Sequence, residues 1–300
     1  MERAILDSPD LSTAPVLEPR ELREFDREAP WAPSSGGPNG TNGHAEDTDR
    51  GTGWLTSRRV TVVVPTLNEA QNLPHVLPRI PEWVHEVILV DGRSTDDTVA
   101  VARELWPAIR VVQQTGKGKG EALRTGFTAA TGDIIVMIDA DGSTDPGEIP
   151  AFVGALLAGA DFAKGSRFLQ GGGTSDMEFH RRMGNWGLLM LVRRLFGGQY
   201  SDLCYGYNAF WTETIRSLRL DGDGFEIETM MNVRALRSGL KITEVPSYEA
   251  ARVYGTSRLR AIPDGLRVLG TIVKEWKLSQ RNRRGARGQV RTSFAETARV

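Results

Sequence analysis

Asp139-Ala140-Asp141 follows the apolar run Ile134–Ile138 and precedes Gly142 and Ser143. Side chains two positions apart on an extended backbone face the same way, so the two carboxylates can converge. Hard oxygen donors suit Mg²⁺ or Mn²⁺. A cation there could bridge both aspartates and a diphosphate, neutralising charge on a departing nucleoside diphosphate. An acidic turn is the competing reading of a lone D-x-D. The apolar strand before it and the glycine after it favour the metal.

Three more polar clusters end apolar runs. Val60–Val64 leads to Pro65-Thr66-Leu67-Asn68-Glu69, and Val87–Val90 to Asp91-Gly92-Arg93-Ser94-Thr95-Asp96. Ile109–Val112 leads to Gln114-Thr115-Gly116-Lys117-Gly118-Lys119-Gly120. Helical stretches fall between these runs: Glu69–Ile80, made irregular by Pro74 and Pro78; Thr95–Trp106; and one from the glycine-rich turn to Ala130. Short strands alternating with helices predict an α/β fold, a mostly parallel sheet with helices on both faces. Ligands of such sheets bind beyond the carboxyl ends of the strands, where the four clusters lie.

The glycine-rich loop is neither a Walker A loop nor G-x-G-x-x-G, which disfavours a dinucleotide-binding dehydrogenase. It is expected to let backbone and Lys117 approach a nucleotide or phosphate. Lys119 reads equally well as a residue of a solvated turn.

The 300 residues carry a net charge of −1, 40% hydrophobic residues and a single cysteine, Cys204. These values exclude an internal disulfide framework, a cysteine-rich zinc module and a globally basic nucleic-acid binder. Cys204 reads as a packed small residue. No apolar run approaches the roughly 18 residues needed to span a bilayer, and no signal peptide is evident. The expectation is a cytoplasmic chain, able to work at the inner face of the membrane. Residues 1–57 are acidic and rich in Pro, Gly, Ser and Asn, and are expected to be disordered. Residues 261–279 place Ile262, Leu266, Leu269, Ile272, Val273 and Trp276 at helical spacing beside basic residues. They are expected to form an amphipathic helix, on an anionic membrane surface or on the core, followed by a flexible basic tail over 280–300. A second candidate for lipid contact is 177–196, for most of which burial is expected.

The ordered series of motifs resembles family-two glycosyltransferases of the GT-A fold, in the dolichyl- or polyprenyl-phosphate mannosyltransferase branch. It comprises Val-Pro-Thr-Leu-Asn-Glu at 64–69, Val-Asp-Gly-Arg-Ser-Thr-Asp at 90–96, Gly-Lys-Gly from 116 or 118 and Asp-Ala-Asp-Gly at 139–142. Gly-Ser-Arg-Phe at 165–168, Gly-Tyr-Asn-Ala-Phe at 206–210, Glu-Val-Pro at 244–246, and Arg252 with Gly-Thr-Ser at 255–257 complete it. The catalytic domain would cover 58–260.

The resemblance implies an inverting, metal-dependent hexosyl transfer from a nucleotide sugar of the GDP-mannose or UDP-glucose class. Pro65, Leu67, Glu69 and Asp91 would hold base and ribose, with Thr66 and Asn68 in the same loop. Lys117 would lie near the nucleotide. Asp139 and Asp141 would hold Mg²⁺ or Mn²⁺ and the diphosphate, with Ala140 and Ser143 beside them. Arg167, Arg181 or Arg182, and Arg252 would face acceptor phosphate or donor diphosphate. This chain departs from relatives at Gly92-Arg93, Leu67 and Ser143, which leaves GDP and UDP both open.

The acceptor follows from acid–base chemistry. A sugar hydroxyl needs a general base. A phosphate monoester, with its second pKa near ~6, is already largely dianionic at neutral pH. Several arginines and no evident catalytic histidine fit a polyprenyl phosphate. A hydroxyl acceptor on a polysaccharide, glycolipid or small metabolite is the alternative, with Glu226 or Glu228 as base. A nucleotidyltransferase or a non-catalytic nucleotide-binding module ranks lower.

Overall fold

A computed structural model describes residues 58–175, 177–257 and 259–297, with side chains as far as 281. The expectation for 1–57 lies outside the described residues. Strands β1 (Val60–Thr66), β2 (Glu86–Asp91), β3 (Arg110–Gln113) and β4 (Ile134–Met137) lie parallel in the order β3-β2-β1-β4. The sheet continues through β7 (Asn208–Trp211), β5 (Phe162–Ser166) and β8 (Ile242–Pro246). Only β7 runs antiparallel to its neighbours, pairing Met137 with Asn208 and Ala163 with Ala209. A short parallel pair, β6 (Gly173–Thr174) and β9 (Tyr248–Glu249), stands apart.

Alternation along β1 sends Val60, Val62 and Val64 into one core layer and Val63 into the other. On the first face pack α1 (Thr98–Leu105) and α3 (Ile149–Leu157), through Ala102, Phe152 and Val153. On the second pack α2 (Lys119–Ala129), α5 (Thr212–Ser217) and α6 (Glu226–Arg237), through Leu123, Phe127, Ile215 and Met231. A third cluster joins α6 to α4 (Phe179–Phe196) and α7 (Ala261–Thr297) through Leu189, Val192, Val233, Val268 and Ile272.

Three local expectations need correction. The helix expected over Glu69–Ile80 is two single 3-10 turns, Leu73–His75 and Leu77–Arg79. Pro74 and Pro78 have no N–H to donate and their rings obstruct a continuous α-helix. Strand β1 does not stop at Pro65, which stays in register with Val90. Strand β4 pairs β1 only as far as Val63, so Pro65 stands at a local edge where a missing donor costs nothing. Helix α7 does not stop near 279; it runs to Thr297, across most of the segment expected to be a flexible tail. The apolar stripe foreseen on α7 divides. Ile262, Leu266 and Leu269 are exposed, whereas Ile272 is buried with Val268. The fully buried Glu275, ion-paired to Arg234 (2.7 Å) and Arg237 of α6, pins the helix to the core.

Gly126 shows how closely α2 lies on the sheet. A Cβ there would come 2.4 Å from Val63 Cγ1 and 3.0 Å from Val90 Cγ2. Alanine in a helix gains about 1 kcal/mol of propensity over glycine. Overpacking a rigid core typically costs about 1–3 kcal/mol. Both valines are fully buried strand residues with little room to yield. Gly126→Ala is therefore expected to destabilise the domain, by about 1 kcal/mol, read as a lower urea midpoint; an unchanged or raised midpoint contradicts this packing.

Candidate active site

Strands β1, β2 and β4 deliver their carboxyl ends to one cavity of about 650 Å³. Its walls include Pro65 and Thr66 at the end of β1, Leu67 and Glu69 after it, Gly92 and Arg93 after β2, and Asp139, Ala140, Asp141 and Ser143 after β4. Lys117 stands in the wall as an exposed residue. Arg167, Arg181 and Arg252 complete the expected residues that line it.

Three expected residues lie elsewhere. Asn68, with φ +55°, accepts from Thr95 N (2.7 Å), and its own N–H donates to Ser94 Oγ (2.9 Å). It ties the β1 loop to the β2 loop. Asp91 is buried and accepts from Ser94 N (3.1 Å), while Gly92 and Arg93 take the cavity wall. Arg182 is exposed and sits over the Phe168 ring (5.4 Å).

The D-x-D carboxylates are held by cations of the chain. Lys119 Nζ lies 2.6 Å from Asp139 Oδ1 and 2.8 Å from Glu228 Oε1. Arg252 Nη2 lies 3.2 Å from Asp141 Oδ2, and its Nη1 donates to both oxygens of Glu69 at 2.9 Å. Ser143 donates from N (3.0 Å) and Oγ (2.7 Å) to Asp141 Oδ1. Burial alone would lower the Lys119 pKa, but Asp139 and Glu228 outweigh it and hold the amine well above its ordinary value. Burial also pushes the Asp139 carboxyl up to about 6, aided by the Asp141 and Glu228 charges and opposed by Lys119.

The glycine-rich loop lines the cavity through Gly116, Lys117, Gly118 and Lys119. Gly118 and Gly120 let it pack against the backbone of 222–223: added Cβ atoms would meet Asp223 O at 2.2 Å and Gly222 O at 2.4 Å. The N–H of Gly120 donates to Asp223 O (2.8 Å). With that contact Lys119 is turned inward onto the carboxylates, while Lys117 stays in the exposed part of the wall. Neither spacing nor composition in the sequence pairs Lys119 with Glu228, 109 positions apart. Glu226 does not enter the cavity, and its carboxylate accepts from Gly224 N (2.9 Å) and Asp223 N (3.1 Å).

Arg167 borders the cavity with its donors engaged. Its Nε and Nη2 fork onto Asp202 (2.6 and 2.9 Å), and its Nη1 donates to Glu249 (2.9 Å). Cys204 also borders it; burial pushes its thiol up to about 12, consistent with a packing residue.

Asp139 and Asp141 fit a hard divalent cation in donor chemistry. Gly206 leaves room beside Asp139 and Glu228, since a Cβ there would stand 2.9 Å from Asp139 Oδ2 and 3.0 Å from Glu228 Oε1. No group of three or more His, Cys, Asp or Glu among the described residues forms a ready metal site. Two carboxylates therefore leave most ligands to be supplied by others.

A mostly parallel sheet with one reversed strand, helices on both faces and a carboxylate pair beyond β4 is the GT-A glycosyltransferase architecture. The family model for glycosyl transferase family 2 matches residues 61–227, and the chain belongs to that family. It is a hexosyltransferase. It is 32% identical over 78% of its length to the polyprenol monophosphomannose synthase of Mycolicibacterium smegmatis, covering 92% of that protein. It is 33% identical over 74% of its length to the undecaprenyl-phosphate mannosyltransferase of Micrococcus luteus, covering 96% of it. It is also 32% identical to the dolichol-phosphate mannosyltransferase of Pyrococcus furiosus, of which it spans only 59%. Among solved structures, glucosyl-3-phosphoglycerate synthase from Mycobacterium tuberculosis, in complex with Mn²⁺, UDP-glucose and phosphoglyceric acid, superposes with a TM-score of 0.60 at 25% identity. That match covers 75% of this chain and 82% of the other.

Proposed function

We propose that this chain transfers a hexose, with inversion, from a nucleotide sugar to a polyprenyl phosphate. One observation carries the choice of acceptor. Each carboxylate lining the cavity among the described residues already has a cationic partner: Glu69 and Asp141 share Arg252, Asp139 and Glu228 share Lys119, and Glu249 meets Arg167. None stands ready as a general base for a hydroxyl. A dianionic phosphate needs none; its oxygen bonds to the anomeric carbon as the bond to the nucleoside diphosphate breaks and that electron pair leaves with the diphosphate. The names of the mannosyltransferase relatives support the same acceptor.

In this reading Pro65, Thr66, Leu67, Gly92 and Arg93 border the nucleotide, and Arg181 and Arg252 offer guanidinium groups to phosphate oxygens. Arg167 is a positioning residue. Asp139 and Asp141 would hold Mg²⁺ or Mn²⁺, which when bound supplies charge neutralisation on the departing diphosphate.

A surface suited to the acceptor's lipid lies on α4, the helix that brings Arg181 to the cavity. Phe179 (77% exposed), Met183, Trp186 (57%) and Met190 recur at helical spacing. Helix α7 packs against α4 and exposes Ile262, Leu266 and Leu269. With Arg193, Arg194 and Arg267 nearby in sequence, these stripes suit peripheral contact with an anionic bilayer. No helix among the described residues is long and apolar enough to cross a membrane.

The test supplies purified protein and Mn²⁺ with GDP-mannose or UDP-glucose, and with a polyprenyl phosphate or phosphoglyceric acid. Lipid-linked sugar formed from one donor is the expected result. Transfer to the small acceptor alone overturns the lipid reading and directs attention to Glu228 as base.

A further inference from the structure

Lys119 occupies the place next to Asp139 that a divalent cation would contest. Its ammonium lies 2.6 Å from Asp139 Oδ1 and 2.8 Å from Glu228 Oε1, and the Phe225 ring centroid is 5.9 Å away. The backbone that carries the amine is held in place, so the ammonium can shift only among the partners within its reach. Lys119 opens α2, whose start is fastened to the Asp223 carbonyl, and only 14% of its side chain is exposed. Glu228 is buried, and Gly206 keeps the space between the three groups clear of a side chain.

A doubly charged ion on Asp139 must displace or repel a fixed ammonium at hydrogen-bond distance from the same carboxylate. Glu228 offers that ammonium a second anion, and a nucleoside diphosphate in the cavity would offer a third. From this geometry we propose that Lys119 is an internal counter-ion that competes with the divalent metal for Asp139. Glu228 is the positioning residue that draws it aside. This proposal rests on the metal and donor reading above and is independent of the acceptor. Its consequence is an order of assembly. Metal binds poorly to the protein alone, and the nucleotide tightens it by giving Lys119 another partner.

The experiment titrates the full chain with Mn²⁺ and follows free Mn²⁺ by electron paramagnetic resonance, alone and with UDP or GDP. It compares wild type, Lys119→Gln, Glu228→Gln and the double variant, each checked for a cooperative thermal melt. Lys119→Gln is expected to bind Mn²⁺ without nucleotide about tenfold more tightly than wild type and to gain less from added nucleotide, within the ordinary range of coupling between sites. Glu228→Gln is expected to weaken nucleotide-free Mn²⁺ binding. The double-mutant cycle separates a specific role from a general field effect. If Glu228 acts through Lys119, its substitution changes Mn²⁺ affinity far less in the Lys119→Gln background.

Equal or weaker nucleotide-free Mn²⁺ binding by Lys119→Gln overturns the counter-ion role, as does a Glu228→Gln effect of the same size in both backgrounds. In either case Mn²⁺ uptake by wild type with nucleotide leaves the metal reading standing. No Mn²⁺ uptake by any of the four proteins, with or without nucleotide, overturns both.

Discussion

Asp141→Ala is expected to lose about 10²–10³-fold or more in kcat/KM while keeping the fold, since removing one preorganised electrostatic partner of a developing charge typically costs that much. Three contacts give the estimate its basis. Asp141 Oδ1 is oriented by both donors of Ser143, and Oδ2 meets Arg252. Truncation removes an oxygen pair from the cavity and leaves Arg252 to Glu69 alone. The aspartate is partly exposed in a loop, with 19% of its side chain accessible, so little packing is lost. Asp141→Asn sharpens the comparison because it can still accept from Ser143 while carrying no charge. Both variants are assayed with the donor and acceptor that wild type uses, across a range of Mn²⁺ concentration. Unaltered turnover in Asp141→Ala sinks the metal-dependent reading. Loss in Asp141→Ala with full activity in Asp141→Asn would mean that the Ser143 hydrogen bonds matter and the charge does not.

The carboxylate pair was legible because local chemistry determines it: an apolar strand, two acids of one parity and a glycine. The parallel half of the sheet was legible for a similar reason, since β1 to β4 are separated by helical stretches of ordinary length. The reversed strand was not. Asn208–Trp211 was visible as part of a motif, but its direction depends on which strands it enters between, β4 and β5, and no local period encodes that. The lysines of the glycine-rich loop mark the same limit. Gly116 to Gly120 alternate glycine and lysine, and the alternation alone does not say which lysine turns onto the carboxylates. The choice is made by Gly222 and Asp223, about a hundred residues further on, against which Gly118 and Gly120 pack. Pairings of this kind are set by tertiary structure, and a single sequence records only the residue types that permit them.

Arg167 and Asp202 illustrate the same point and carry the largest expected effect on stability. Asp202→Ala is expected to cost about 3–5 kcal/mol, the usual consequence of leaving a buried charge without its partner. Only 2% of the Arg167 side chain and none of the Asp202 side chain is exposed, and the guanidinium fork makes two parallel bonds to the carboxylate. Glu249, the remaining acidic partner, meets a single nitrogen and also accepts from Thr174. Burial alone would raise the Asp202 pKa, but Arg167 outweighs it and holds the carboxyl below its ordinary value. A depressed carboxyl contributes stability above the unfolded pKa and loses it as pH falls through the folded one. The pair therefore supports the fold at neutral pH and yields only below the usual aspartate range of about 4. Urea unfolding of Asp202→Ala near neutrality checks the size of the effect. The double variant Arg167→Met, Asp202→Leu tests its origin, because a buried ion pair replaced whole by apolar side chains often costs little. Recovery of most of the lost stability would identify the penalty as an unpaired guanidinium. If Asp202→Ala instead unfolds at the wild-type urea concentration, Arg167 is not dependent on Asp202, and it returns as a candidate ligand for the phosphates that pass through the cavity.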